Sequence, residues 1–231
     1  MRNFTQGFAD TVRRHGCLAA LHKYIYKIIQ KLIVLDVSHL FMLPIENASS
    51  EQDGRLVFRP LEQEEIIEFS RSEKYELDED MAQRLSAGLD VCFAVFVDGQ
   101  LAGYDWLAMN SIEAAHNRGD SLESGVAMSF PEDAILSYNA FIAPDFRGQG
   151  LYGKLVREAS IWFNQNHGID TLLTTTDWTN HSALRSCERQ RFRSIGLIWR
   201  FGMKQWMFTL SPKRAAGLGI QFGDLARITA R

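Results

Sequence analysis

Between Ala134 and Asn166 the chain reads AILSYNAFIAPDFRGQGLYGKLVREASIWFNQN, with Gly148, Gly150 and Gly153 following directly on Arg147. The apolar run before the glycines and the helical period after them predict a strand, a Pro-Asp turn, a glycine loop and a helix. Such a junction binds phosphate. The first helical N–H groups lack intrahelical acceptors, the helix dipole adds partial positive charge, and glycine lets an anion approach the bare backbone.

Two general fingerprints overlap here. Gly148-x-Gly150-x-x-Gly153 spells the dinucleotide pattern, and Gly148 to Lys154 spells a P-loop up to its last position. The P-loop reading fails at Leu155, where a hydroxyl is needed for magnesium. The dinucleotide reading expects glycine directly after the strand and an acidic residue about 20 positions on. Pro144 to Arg147 intervenes, although Asp177 stands after the next strand and fits a ribose ligand.

Other chemistries find no support. Cys17, Cys92 and Cys187 are far apart, with no paired metal-ligand spacing and no H-E-x-x-H, so no metal site is expected. Three sparse cysteines fit a reducing, cytoplasmic compartment. There is no G-x-S-x-G elbow. A formal charge of −3 provides no global basic field, so no nucleic-acid partner is expected.

The flanking elements read as an antiparallel meander rather than alternating βα units. Val91 to Val97 and Leu101 to Leu107 flank Asp98-Gly99, a hairpin signal, and Arg55 to Phe58 makes an earlier strand. Helical periods run over Glu62–Arg71 and Leu77–Ala87. After the glycine helix come a strand at Asp170–Thr176, a short helix at Asn180–Gln190, and closing strands at Phe192–Arg200 and Met203–Leu210.

This order, with two motifs, resembles the GNAT acetyltransferase superfamily over roughly Arg55 to Leu210. Ile142 to Tyr152 is similar to the family's R-x-x-G-x-G/A loop with its leading proline, except that Tyr152 replaces a small residue. Asn180-x-x-Ala183 followed by Cys187 and Phe192 is similar to a second family motif. There Cys187 stands where a tyrosine commonly serves as general acid, and Arg191 replaces a glycine. The resemblance implies an α/β fold: a GNAT-like mixed, mostly antiparallel twisted sheet of about seven strands flanked by helices, with an extra N-terminal helix and strand.

It further implies acyl transfer from acetyl-CoA or another acyl-CoA, a co-substrate, to an amine by direct attack in a ternary complex. Residues Arg147, Gly148, Gln149, Gly150, Leu151, Tyr152 and Gly153 would hold the pyrophosphate. The splayed strand with Asn139, Phe141 and Ile142 would take the pantetheine, and Asn180 would also hold the cofactor. The acceptor expected is a small-molecule amine or amino sugar. Cys187 and Tyr138 are the catalytic candidates, with Tyr104 beside them; each is also readable as ordinary core. Glu132 and Asp133 are candidate bases at the strand's start. A non-catalytic acyl-CoA-binding module is the alternative, motivated by the missing tyrosine at Cys187.

Three divisions follow: 1–54, 55–210 and 211–231. Leu18, Leu21, Ile25, Ile28, Ile29 and Leu32 recur at helical spacing among lysines. This basic amphipathic stripe suits either packing on the domain or peripheral contact with anionic membranes through residues 15–33. The polar opening shows no signal peptide, and recurring lysines rule out a spanning helix. Val34 to Leu43 is expected to add a strand beside the sheet, and residues 46–54 to be a linker. Residues 110–131 form a long polar loop with a helical turn at Ser111–His116. The C-terminal stretch is expected as a partly ordered tail or the cover of an edge.

Overall fold

A computed structural model describes residues 34–46, 54–77, 79–117, 125–203 and 206–223. The expected basic helix, residues 47–53 of the linker, residues 78, 118–124 and 204–205 and the last eight residues lie outside them.

Alternation along one strand builds two layers of core. In β3 (Asp90–Val97), Cys92, Ala94 and Phe96 point to one face, where they pack with Ile66 and Ala82. Phe93 and Val95 point to the other, against Leu155, Ala159 and Phe163. The first face is covered by α1 (Gln63–Ser70) and α2 (Glu79–Ser86), the second by α3 (Leu151–His167). A strand covered on both sides has no polar face to show, and β4 (Gln100–Met109) is buried from Leu101 to Ala108.

The main sheet has eight strands, the expected seven or so with the N-terminal strand added, in the order β10-β9-β1-β8-β7-β4-β3-β2. The remaining members are β1 (Val34–Pro44), β2 (Leu56–Pro60), β7 (Ala134–Ile142), β8 (Thr171–Asp177), β9 (Arg193–Met203) and β10 (Trp206–Leu210). Every pairing is antiparallel except β7 with β8, whose connection is α3. The strand expected beside the sheet lies within it: β1 pairs with β8 on one edge and β9 on the other. Its apolar Val37 and Leu40 are buried, which an edge position would not require.

Residues 110–131 also differ from expectation. Ser111–Ile112 is a short strand, β5, which pairs with β6 (Met128–Ser129), and the expected helical turn is confined to the residues after it, where the N–H groups of His116 and Asn117 donate to the Glu113 carbonyl at 3.1 Å. Beyond β10, α5 (Lys213–Gly217) and β11 (Gln221–Phe222) follow, and β11 pairs with β6. Ala215 and Ile220 are buried with Leu40, Ile112, Met128 and Leu173, so this part of the C-terminal stretch packs on a face of the main sheet, while β11 covers the edge of β6 that β5 leaves open.

Candidate active site

The site begins with a pairing that stops early. β7 and β8 run in register only from Ala134↔Thr171 to Ser137↔Thr174, yet β7 continues to Ile142 and β8 to Asp177. Their outer edges stay fixed, since Ile142 pairs with Gly103 of β4 and Asp177 with Ser38 of β1. The separation coincides with a bulge. Trp106 pairs with Asn139 and Leu107 with Ser137, leaving Tyr138 as the extra residue on β7. A bulge bends its strand and increases local twist, so β7 diverges from β8 at this residue. The two strands thus form a wedge, with Ser137 at its closed end.

The glycine loop stands at the open end. Pro144–Phe146 makes a 3-10 turn, and Arg147 Nε donates to the Ile142 carbonyl at 2.9 Å. Gly148 and Gly150 have φ of 78° and 72°, a left-handed backbone that side chains with a Cβ disfavour. The space around both is open. The first intrahelical bond of α3 runs from Lys154 N–H to Gly150 O, so the N–H groups of Leu151, Tyr152 and Gly153 precede it.

A cleft of ≈ 970 Å³ joins the loop to the wedge. Of the residues expected to act together, Tyr138, Phe141, Ile142, Arg147, Gly148, Gly150, Leu151, Tyr152, Gly153, Asn180 and Cys187 line it. Asn139 and Gln149 lie outside that lining. Asn139 Nδ2 points to Met81 Sδ at 4.0 Å, and Gln149 Nε2 donates to the Asp145 carbonyl at 3.3 Å. Asn180 caps α4 (His181–Arg189), its Oδ1 accepting from the Ala183 N–H at 3.1 Å.

The catalytic candidates have unequal surroundings. Cys187 is buried on α4, and burial pushes its thiol up to about 11. The Tyr138 hydroxyl is engaged elsewhere: it donates to Asp90 Oδ2 at 2.7 Å, and Asp90 pairs with Arg84 at 2.5 and 2.9 Å. Burial, then the Asp90 carboxylate, raise the Tyr138 phenol above its ordinary range. Tyr104 is corrected to a structural post. Its hydroxyl donates to the carbonyls of Tyr75 (2.8 Å) and Glu76 (3.2 Å), holding the segment that leads from α1 to α2. Glu132 and Asp133 precede β7 at its far end from the loop and do not line the cleft.

Several cleft residues were not anticipated. Thr174, Thr175 and Thr176 form the β8 wall, and Glu76 faces the cleft from a left-handed position at φ 53°. Ser137 lines the closed end, and its hydroxyl donates to Asp105 Oδ1 at 2.9 Å. Asp105 is fully buried on β4, and burial pushes its carboxyl up to about 7 against the opposing Ser137 hydrogen bond. The bulge that assembles this set has no single-residue signature. The left-handed Arg191, at φ 63°, was flagged by its departure from glycine in the second motif.

No family model and no curated protein matches the chain. Solved structures do. A GCN5-related N-acetyltransferase from Kribbella flavida is 11% identical, with 79% of this chain and 64% of that one covered at a TM-score of 0.50. A putative GNAT-family acetyltransferase from Novosphingobium aromaticivorans is 14% identical, covering 75% and 67% at 0.46. A Drosophila protein is 14% identical, covering 86% and 58% at 0.49. The chain thus spans about two thirds or less of these proteins' length. With the splayed β7–β8 pair opening onto a glycine-led helix, the chain has the fold of the GNAT acetyltransferases.

Proposed function

We propose that the chain is an acyl-CoA-dependent N-acyltransferase, taking acetyl-CoA as donor and a small-molecule amine or amino sugar as acceptor in a ternary complex. The observation that carries this reading is the wedge between β7 and β8, which opens directly onto the amides of the α3 N-terminus.

The residues present suit such a donor. Arg147 and the open left-handed turns at Gly148 and Gly150 offer charge and bare backbone to a pyrophosphate, with the N–H groups of residues 151–153 behind them. Past Ser137, the edge of β7 that faces β8 has no strand partner among the described residues, so residues 138–142 can pair with the amides of an extended pantetheine arm. Asn180 and Gln190 border the same cleft from α4 and its C-terminal end. The donor supplies an activated thioester; the chain supplies orientation, carbonyl-polarising amides near the bulge and a desolvated site.

A small polar pocket supports a polar acceptor. Asp36, Ser38, Asp177 and Arg200 line it, and it shares Tyr138, Thr175 and Thr176 with the cleft. Carboxylates beside a narrow opening favour an ammonium over an apolar group. The sparse cysteines support a cytoplasmic setting.

Calorimetric titration of acetyl-CoA into the wild type and an Arg147→Ala, Gly150→Asp variant tests the reading. Saturable binding by the wild type, lost in a variant with unchanged circular dichroism, is the expected result. Absence of binding by well-folded wild type would overturn it. Binding without CoA release toward any amine would favour the non-catalytic module.

A further inference from the structure

The half-buried Arg200 lines the polar pocket of ≈ 80 Å³ that adjoins the cleft. Its Nε is buried without a hydrogen-bond partner. Burial weakens its charged form, against the opposing pull of Asp36, its cross-strand neighbour on β1. A buried guanidinium donor left without an acceptor costs free energy that a partly anionic ligand would recover, so the position asks for a reason.

Strand register gathers the pocket on one face of the sheet. Directly opposed residues share a face; Asp36 pairs with Arg200, and Ser38 pairs with both Ile198 and Asp177. Tyr138 packs on this face with Leu40, Leu173 and Ile198, whereas α3 packs on the other, over Leu172. Thr174 and Thr175, successive residues of β8 and so on opposite faces, both line the cleft. The wedge is therefore open through the sheet. A donor held at the α3 N-terminus reaches it from one face, and the pocket meets it from the other.

Across that second face the order is Arg200 on β9, Asp36 on β1, Asp177 on β8 and Tyr138 on β7. With neighbouring strands about 4.8 Å apart, the β9 backbone lies roughly 10 Å from the β8 wall of the wedge. The cation thus stands farthest from the thioester and the carboxylates nearer to it. Asp177 is fixed in place, its Oδ1 accepting from the Thr179 N–H at 2.6 Å.

Resting on the acyltransferase reading above, we propose that the acceptor is an amino acid, that this pocket holds its carboxylate, and that Arg200 is the specificity-determining residue. A simple ammonium leaves the Arg200 donor unanswered, and a lone carboxylate is repelled by Asp36 and Asp177. A molecule with both charges answers both, its carboxylate on the guanidinium and its amine toward β8 and the wedge. A sugar hydroxyl accepts a hydrogen bond but leaves the guanidinium charge uncompensated. In the reaction the amine nitrogen forms the C–N bond and the C–S bond breaks with its electron pair going to sulfur. Of the two protons that the ammonium loses, one ends on the CoA thiol and one in solvent.

The test follows CoA release from acetyl-CoA with a thiol reagent, using the full chain. Acceptors are the protein amino acids other than cysteine, β-alanine, the carboxamide of each of these, and the carboxylate-free amines n-butylamine, putrescine and glucosamine. At least one amino acid should drive saturable release with kcat/KM about 100-fold or more above that of its amide, the difference lying mainly in KM. In Arg200→Met with unchanged circular dichroism, that ratio should fall to within about threefold of one, and Arg200→Lys should retain part of it. The wild-type comparison of acid with amide holds even where the variant does not fold. Equal or better use of n-butylamine, putrescine or glucosamine by the wild type would overturn the proposal, as would an acid-to-amide ratio unchanged in Arg200→Met. A wild type that binds acetyl-CoA in calorimetry but releases CoA to no amino acid would overturn the subsite and leave the donor site standing. A wild type that does not bind acetyl-CoA would overturn the acyltransferase reading and the subsite together.

Discussion

The hydroxyl of Tyr138 donates to Oδ2 of Asp90 at 2.7 Å, tying the bulged residue of β7 to the first residue of β3. Arg84 of α2 meets the same carboxylate through two nitrogens, and its side chain is 9% exposed against 0% for that of Asp90. The bulge is therefore held from behind by a buried ion pair as well as by the strand pairing on either side.

Removing one partner of such a pair leaves a buried charge uncompensated. Arg84→Ala should cost about 3–5 kcal/mol in chemical denaturation. Tyr138→Phe, which removes one donor and keeps the ring, should cost about 1–2 kcal/mol. An Arg84→Ala loss under 1 kcal/mol would show that Asp90 is solvated or paired in another way.

Asp105 sets a pH dependence of stability with a definite sign. Unfolded, its carboxyl titrates near 3.8; folded, near 7. Between those values the folded state holds the extra proton. This group therefore favours folding most below pH 4, and its contribution declines as pH rises to about 7, by up to a few kcal/mol. Denaturation at pH 5 and pH 8 should show wild type losing more stability over that interval than Asp105→Asn. Equal losses would place the Asp105 ionisation outside the interval.

Arg191 adopts φ 63°, a conformation costing roughly 1–2 kcal/mol for a residue with a Cβ. Arg191→Gly removes that strain, and part of the gain is offset by the added freedom of glycine in the unfolded chain. The net expectation is a stabilisation of about 0.5–1 kcal/mol, read as a higher denaturation midpoint. A lower midpoint would mean that contacts of the Arg191 side chain outweigh the backbone.

Gly150 separates conformation from ligand binding. A Cβ there meets open space, so Gly150→Ala pays only for the left-handed backbone, about 1 kcal/mol. Gly150→Asp brings a carboxylate to a helix N-terminus, which partly offsets the same cost. It should still abolish acetyl-CoA binding through repulsion of the pyrophosphate. Retained binding in a folded Gly150→Asp variant would move the anion site off this loop.

Most elements were legible because each is written in local periodicity. The apolar run of Val91 to Val97 and the Asp98-Gly99 turn gave the β3–β4 hairpin, and the helix expected after the glycine loop is α3, which buries Leu151, Leu155, Ala159 and Phe163. The glycine loop was legible for the same reason. What stayed hidden depends on pairing. Nothing local tells that Val34–Pro44 inserts between β8 and β9, or that Tyr138 is skipped opposite β4. Asp105 read as an ordinary strand residue, because its meaning comes from Ser137, 32 positions later, and from the helix that packs over both.

The place of β1 also fixes when this protein can fold. On the ribosome, residues 34–44 emerge well before their partners, which begin at Thr171 and Arg193. The strand must wait unpaired while the segment up to β8 is made, and its pairing closes the longest loops in the sheet. Such distant contacts slow folding and expose a nascent strand to misassociation. Shortening the chain to begin at residue 55 would not trim an appendage; it would leave β8 and β9 facing a missing strand.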